Sequence, residues 1–233
     1  MYLATMIMFA ASEPTVSIKL NSATQENSLP LQIAVLLTLL SLIPAIMVSM
    51  TCFTRLIIVF HFLRQAIGTQ EAPNNQVLIG LALFLTLFVM SPSLKRINNE
   101  ALQPLLNKEI SQIDALQKAL VPLRDFMFKH TRERDLALLI KLSGDAHPKT
   151  KDDVSSVTLV SAYLISELKT AFQIGFVLFI PFLIIDMAVS SVLLAMGMMQ
   201  LPPVVVSTPL KLLLFIMVDG WHLIVSSLVK GLM

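Results

Sequence analysis

Two aspartates, Asp186 and Asp219, lie in long apolar stretches of this sequence, where a carboxylate is costly unless it has a partner. Two carboxylates in close approach can share one proton and activate water, as in aspartyl proteases. The local sequences, Ile185–Met187 and Val218–Gly220, lack the Gly-x-Gly-Asp motif of intramembrane aspartyl proteases. Both aspartates are therefore expected to be structural groups that accept hydrogen bonds at breaks in the helices.

Other side chains with catalytic or metal-binding potential are isolated. The four histidines are His61, His130, His147 and His222, and their spacing does not suit a metal site. The single cysteine, Cys52, excludes an internal disulfide and a multi-thiolate site, and its apolar neighbours predict a core position. Neither His-Glu-x-x-His nor Gly-x-Ser-x-Gly occurs. The sequence predicts no catalytic residue, metal or cofactor, and hence no enzyme.

A pair of opposite charges flanks the longest apolar run. From Ala171 to Leu210 the only formally charged residue is Asp186, while Glu167 precedes the run and Lys211 follows it. The run is twice the length of one bilayer span, which needs about 20 apolar residues. A hairpin would bring Glu167 and Lys211 to the same level, where they pair within one chain, pair between neighbours, or are solvated at the membrane boundary.

Methionines cluster where this run is interrupted. Met196, Met198 and Met199 lie within four residues, beside Gly197 and just before the pair Pro202–Pro203. Methionine is commonly a flexible filler of core gaps. Clustering at a turn, rather than along one helical face, favours a second interpretation, in which these apolar side chains seal a constriction and yield to a passing chain.

The composition is that of an integral membrane protein. Of 233 residues, 55% are hydrophobic and 14% charged, against about 25% charged in soluble domains, and the mean hydropathy is +0.78. The net charge of +2 does not indicate a nucleic-acid partner. Helical periodicity without any long alternating strand pattern predicts an all-α fold of helical hairpins with broken helices.

Charges divide the chain into blocks, because most of them lie between Lys95 and Asp153. The predicted segments are a possible signal-peptide remnant (1–12), a flexible polar N-terminus (13–28), a front apolar helical block (29–93), a charged amphipathic helical domain (94–156) and a back apolar block (157–233). Within them, Pro92 is expected to end a helix, Pro122 to start or kink one, and Pro181 to interrupt one. Ser111 and Asp114 have the spacing of a capping box.

The resemblance of several long, ordered motifs to one family covers roughly Leu31 to Val229. The sequence resembles the FliP family of the flagellar export gate, and the motifs that carry the resemblance are Arg55–Phe60, Leu63–Gln70, Asn75–Thr86, Ser166–Phe176, Ile180–Asp186, Gly197–Met199, Pro202–Pro203, Lys211–Phe215 and Val218–Trp221. Injectisome proteins share the pattern. Gly68–Gln70 and Glu167–Gln173 are closer to the flagellar form.

The resemblance implies a ring of about five copies. With FliQ-like and FliR-like partners, such a ring forms a cone-shaped, hetero-oligomeric gate through which unfolded flagellar substrates cross the bacterial inner membrane. It also implies a pore gasket of Met198 and Met199, with Met196 beside them, and an ion pair between Glu167 of one subunit and Lys211 of the next. Gln200 stands where relatives often have another methionine.

Composition alone leaves one other function open, a small-solute or ion transporter of the inner membrane. Transporters place polar sites at interrupted helices and often contain internal repeats. Pro44 and Pro181 do interrupt apolar segments, but the front and back blocks show no evident repeat. The resemblance therefore favours the export gate, as a multi-pass protein of the flagellar basal body.

The orientation of the charged domain can be tested directly. Its basic residues favour the cytoplasm, but segments of about 60 residues cross largely regardless of charge. A cleaved signal followed by two crossings places this domain in the periplasm. Cysteine at position 144, introduced as Gly144→Cys with Cys52→Ala, should then react with an impermeant maleimide in intact spheroplasts. Reaction only after lysis would place the domain in the cytoplasm.

Overall fold

The computed structural model describes residues 33–34, 37–38, 41, 44–46, 48–69, 72–143, 148, 150–198 and 200–233. The chain divides into two compact units, Met1–Leu42 and Ile43–Met233. In the first unit the described residues are helical, and the predicted segments 1–12 and 13–28 lie outside them.

The described part of the second unit is all-α, as the sequence predicts: helices are joined by turns and loops, with no strand among those residues. Its helices are α1 (Phe53–Ile67), α2 (Asn75–Ile97), a π-helical turn (Asn98–Leu102), α3 (Gln103–Leu106), α4 (Gln112–His130), α5 (Glu133–Ser143), α6 (Ser156–Ala195), α7 (Pro203–Met217) and α8 (Gly220–Lys230).

Helix α1 lies at the centre of this unit and packs along α6, with α2 and α7 also against it. Its buried apolar side chains follow helical spacing, in the order Leu56, Val59, Phe60, Leu63, Ala66 and Ile67. That periodicity places them on one face of the helix. Cys52, which precedes α1, is fully buried as expected.

Helix α6 has two unlike halves. In the first half, as far as Gly175, side chains such as Leu159, Tyr163 and Ala171 are buried against other helices. Beyond Gly175 only Phe182 and Leu193 are buried. The 40-residue helix is about 60 Å long at 1.5 Å per residue, so its second half extends away from the core as one arm of the predicted hairpin, with α7 as the other.

The charged middle of the sequence folds into α3, α4 and α5. Ser111 accepts a hydrogen bond from the backbone N–H of Asp114, which confirms the predicted cap of α4. Arg124 of α4 donates hydrogen bonds to Ser156 Oγ and to the carbonyl of Val154, both at 2.8 Å. These contacts attach α4 to the start of α6.

Two predicted proline boundaries, at Pro92 and Pro181, are wrong, and Pro122 does not start a helix. Pro92, Pro122 and Pro181 all lie inside continuous helices, namely α2, α4 and α6. Packing holds the helix on either side of each proline: Val89 and Met90 are buried before Pro92, and Phe182 is buried after Pro181. In apolar surroundings an unravelled turn would leave further backbone groups without partners, so the helix continues past the single lost hydrogen bond.

Two described helices are long and apolar enough to cross a membrane, Asn75–Leu106 and Ser156–Ala195. Two bent pairs would add spans if each counts as one: Pro44–Met50 with Phe53–Ile67, bent by 78°, and Pro203–Met217 with Gly220–Lys230, bent by 63°. Most of the apolar surface of the two long helices is not covered within the chain. The hydrophobic surface therefore requires lipid or protein neighbours.

Gly175 of α6 permits the closest approach of α1. A β-carbon there would lie 2.5 Å from the ring of Phe62, which is flanked by Phe172 and Phe179 with ring centroids at 5.2 and 6.1 Å. We expect Gly175→Ala to lower the free energy of unfolding by about 1–3 kcal/mol, because it overpacks this crossing.

The matched control is Gly80→Ala in α2, where an added β-carbon meets nothing within 4 Å. That change should be neutral or stabilising by up to about 1 kcal/mol, because alanine has the higher helix propensity. Denaturant titration of the detergent-purified chain gives both values. Equal effects of the two substitutions would contradict the close packing at Gly175.

Candidate functional site

The methionine turn joins α6 to α7 and is shaped by backbone hydrogen bonds. The N–H of Met198 donates to the carbonyl of Leu193, and the N–H of Gly197 donates to that of Leu194, both at 3.0 Å. Gly197 has a left-handed φ of 75°. This is a Schellman motif, in which a glycine ends a helix without the steric penalty that a β-carbon would bring.

The side chains of the turn point away from the chain's own core. Met196 is 66% exposed and Met198 38% exposed, and Gln200 is also exposed. Met199 lies outside the described residues. After the turn, Pro202 and Pro203 begin α7, where a proline is tolerated because the first helical N–H has no partner to lose. The turn thus presents an apolar, flexible end of the hairpin.

Asp186 is held between the two arms of the hairpin. Its Oδ1 accepts a hydrogen bond from Ser207 Oγ and its Oδ2 from Lys211 Nζ, both at 2.6 Å. Lys211 is 4% exposed and Ser207 fully buried. Asp186 therefore accepts hydrogen bonds, but it does so inside the continuous α6 rather than at a helix break.

Glu167 is held by a partner that the sequence analysis did not select. Arg55 in the first turn of α1 binds it with two parallel hydrogen bonds, one from Nε to Oε2 at 2.8 Å and one from an Nη to Oε1. Both side chains are nearly inaccessible to solvent. Bidentate pairing of this kind neutralises two charges in an interior where either alone would be destabilising.

Within the chain, Glu167 and Lys211 are not partners, although both are buried. Lys211 pairs with Asp186 and Glu167 with Arg55. A contact between Glu167 of one copy and Lys211 of the next stays a prediction, and it would require both residues to exchange their partners. The signal for Arg55 was available, because a lone arginine followed by the apolar run Leu56–Phe60 needs a carboxylate.

The corner between α4 and α5 is clamped onto α6. The backbone N–H of Arg132 donates to Ser166 Oγ at 3.0 Å, and its guanidinium donates to Thr170 Oγ1 at 3.0 Å and Gln173 Oε1 at 2.5 Å. Ser166 Oγ in turn donates to Asp135 at 2.8 Å. The polar residues of the stretch Ser166–Gln173 therefore bind two neighbours: the corner between α4 and α5, and Arg55 of α1.

His130, the last residue of α4, is uncharged at neutral pH. Burial, followed by the positive charges of Arg55 and Lys129, lowers the pKa of His130 to about 4.

Asp219 lies where α7 ends and α8 begins, with a left-handed φ of 50°, a conformation that aspartate tolerates better than most residues. Its side chain is exposed and does not cap α8. A β-carbon on Gly220 would lie 2.2 Å from the ring of Phe215, so close packing fixes this bend. Asp186 and Asp219 are thus in different environments, one paired and one exposed.

Metal binding finds no support in the described part of the chain, where no group of three or more histidine, cysteine, aspartate or glutamate side chains could hold an ion. His147 lies outside the described residues.

Comparisons with known proteins agree with these motifs. The model of the FliP family matches residues 36–228. The flagellar biosynthetic protein FliP of Bacillus subtilis is 54% identical over 212 residues, which are 91% of this chain and 96% of the relative. The chain belongs to the FliP family. The namesakes from Pectobacterium carotovorum and Aquifex aeolicus are 51% and 42% identical, over 89% and 94% of this chain and 80% and 91% of their own lengths.

The motifs that the chain shares with its family can now be placed in the structure. The motifs Arg55–Phe60 and Ser166–Phe176 contain the two halves of the Arg55–Glu167 pair, and they meet where α1 crosses α6. The motifs from Ile180 onward contain Asp186, the methionine turn and Lys211, which are parts of the hairpin. The motifs that identify the family are therefore the ones that position its helices.

The importance of the central ion pair can be measured. Arg55→Met leaves the Glu167 carboxylate buried without a counter-charge, and breaking a buried pair in this way costs about 3–5 kcal/mol. We expect a correspondingly large loss of thermal stability and of membrane-inserted protein.

Arg96→Met is the matched control, because Arg96 makes ion pairs with Glu100 and Asp125 that are half-exposed. Exposed pairs contribute little to stability, so this variant should resemble the parent chain. Similar losses in both variants would show that arginine removal, rather than the buried position, is responsible.

Proposed function

We propose that this chain is a core subunit of the flagellar type III protein export gate. The observation that carries the proposal is membership of the FliP family across nearly the whole chain, together with the long, apolar, all-helical architecture that a membrane gate needs. Its role is to form the channel for unfolded flagellar substrates. No catalytic step is assigned to it, and energy for transport comes from other components.

The assembly proposed is a ring of several copies with FliQ-like and FliR-like subunits in the bacterial inner membrane, at the flagellar basal body. The exposed apolar second half of α6 and the similar surface of α7 support it, because they are available for apolar contacts between neighbouring subunits. The middle domain, α3 to α5, is assigned to the periplasmic side.

The methionine turn is proposed as the gasket of the closed pore, formed by Met196, Met198 and Met199. Three properties support it: the two described methionines are exposed, the turn lies at the end of the hairpin, and Gly197 fixes its backbone without using their side chains. Hydrophobic constrictions close pores by excluding water. Unbranched thioether side chains can also re-pack around a passing chain.

A small-solute transporter is less consistent with the charges. In the part of the chain that the structure describes, the buried charged residues are Arg55, Glu167 and Lys211, and each has an ionic partner within hydrogen-bond distance. A transport site needs polar groups that are free to bind a solute or ion. The pairing leaves these groups with structural roles.

The gasket is tested by Met198→Ala combined with Met199→Ala. Shortening both side chains widens the constriction, so cells that assemble the variant gate should leak small ions while the complex itself remains intact. Patch-clamp conductance of membranes with a known amount of complex, from native gel electrophoresis, gives both quantities.

Met187→Ala is the control, since Met187 is 70% exposed on α6 and lies well away from the turn. It should leave conductance unchanged. Intact complexes of the double variant that remain sealed would refute the gasket.

A further inference from the structure

The two arms of the hairpin have similar lengths between the Asp186–Lys211 contact and the methionine turn. Helix α6 continues nine residues from Asp186 to its end at Ala195, and α7 runs eight residues from its start at Pro203 to Lys211. At 1.5 Å per residue, both arms span about 12–14 Å between this level and the methionine turn. The Asp186–Lys211 contact is therefore a rung that sets the register of one arm against the other.

Above that rung, little core packing holds the hairpin. Leu193 and Ser207 are buried there, while most large apolar side chains of the two arms are exposed in the single chain, namely Met187, Val192, Leu194, Val204, Val205, Val206 and Leu210. The position of the turn relative to the rest of the chain consequently depends on what fixes the arms at the level of Asp186.

The rung is a two-point attachment rather than a single ion pair. Ser207 and Lys211 are four residues apart on α7, so they lie on one face of the helix. They donate to the two different oxygens of the Asp186 carboxylate, both at 2.6 Å. Sliding α7 by one residue would rotate this face by about 100° and remove both donors together.

Lys211 also attaches the hairpin to α1. Its Nζ donates to the carbonyl of Ala66 at 3.3 Å, one of the last carbonyls of α1, which have no partner within the helix. A cation at a helix C-terminus is further favoured by the helix dipole. The adjacent Gly68 has a φ of 85°, and a β-carbon there would lie 3.0 Å from Thr208 Oγ1. Glycine thus lets the end of α1 meet α7 at this point.

We propose that Asp186, Ser207 and Lys211 form a register lock that positions the methionine turn, with Lys211 as a positioning residue of the gate. The lock joins α6, α7 and the end of α1, and it holds the turn at a fixed height and angle. This role rests on the proposed function of the turn as the closure of the pore. It assigns Lys211 to its own chain rather than to the Glu167 of a neighbouring copy.

The first experiment uses the full chain, co-expressed with its export-gate partners in cells that lack the native protein. Lys211→Met removes the charge but keeps an unbranched apolar side chain. We expect assembled complexes whose closed-state ion conductance rises about tenfold, since Asp186 loses its cationic partner and α7 loses one of its two attachments to α6.

Two variants accompany it. Lys211→Arg retains the charge and should keep conductance within about twofold of the parent, because arginine can still bind the carboxylate. Lys169→Met makes the same chemical change at an exposed position of α6 and should have no effect. A sealed Lys211→Met complex, alongside a leaking complex of the methionine double variant, would overturn the lock while the gasket stands.

The second experiment identifies the partner of Lys211 by charge exchange and is scored by complex assembly alone. It therefore decides the lock even if Lys211→Met does not assemble, or if the gasket itself is refuted. We expect Asp186→Lys with Lys211→Asp to recover complex that either single change loses. Glu167→Lys with Lys211→Glu should recover none. Recovery by the second exchange and not by the first would assign Lys211 to the neighbouring copy and overturn the proposal.

Discussion

The ion pair between Arg55 and Glu167 is the constraint on which the rest of this fold depends. Neither charge is stable alone in so apolar an interior, so α1 and α6 must cross where the guanidinium and the carboxylate meet. The remaining helices are placed relative to that crossing: α2 packs on α1, and α4 and α5 pack on the first half of α6. One residue before Glu167, Ser166 fixes the corner between α4 and α5, so the same helical turn serves two neighbours.

The sequence was sufficient for those features that depend on local chemistry. Uninterrupted apolar length predicted the hairpin, glycine and the proline pair predicted its turn, and the motifs identified the family. Helix ends at Pro92 and Pro181 were mispredicted, because local propensity cannot register the packing that carries a helix past a proline. Tertiary context decided each of these positions.

The sequence also did not show which of the buried charged residues pair with each other. Glu167 and Lys211 were correctly singled out as charges beside an apolar run, but equal height along a hairpin does not determine which groups face each other. Lys211 turns toward Asp186 and the end of α1, whereas Glu167 turns toward Arg55, which is 112 residues away. Rotation of each helix about its own axis sets these directions, and it results from the packing of the whole unit.

The backbone hydrogen bonds that end α6 make the conformation of the methionine turn independent of most of its side chains. Since Gly197 and two main-chain N–H groups define the fold of the turn, the side chains at 196, 198 and 200 are not needed to maintain it. Substitutions at these positions therefore leave the hydrogen bonds that end α6 in place. Under the proposed gasket role, side chains that face the pore can therefore be replaced while the backbone that presents them keeps its shape.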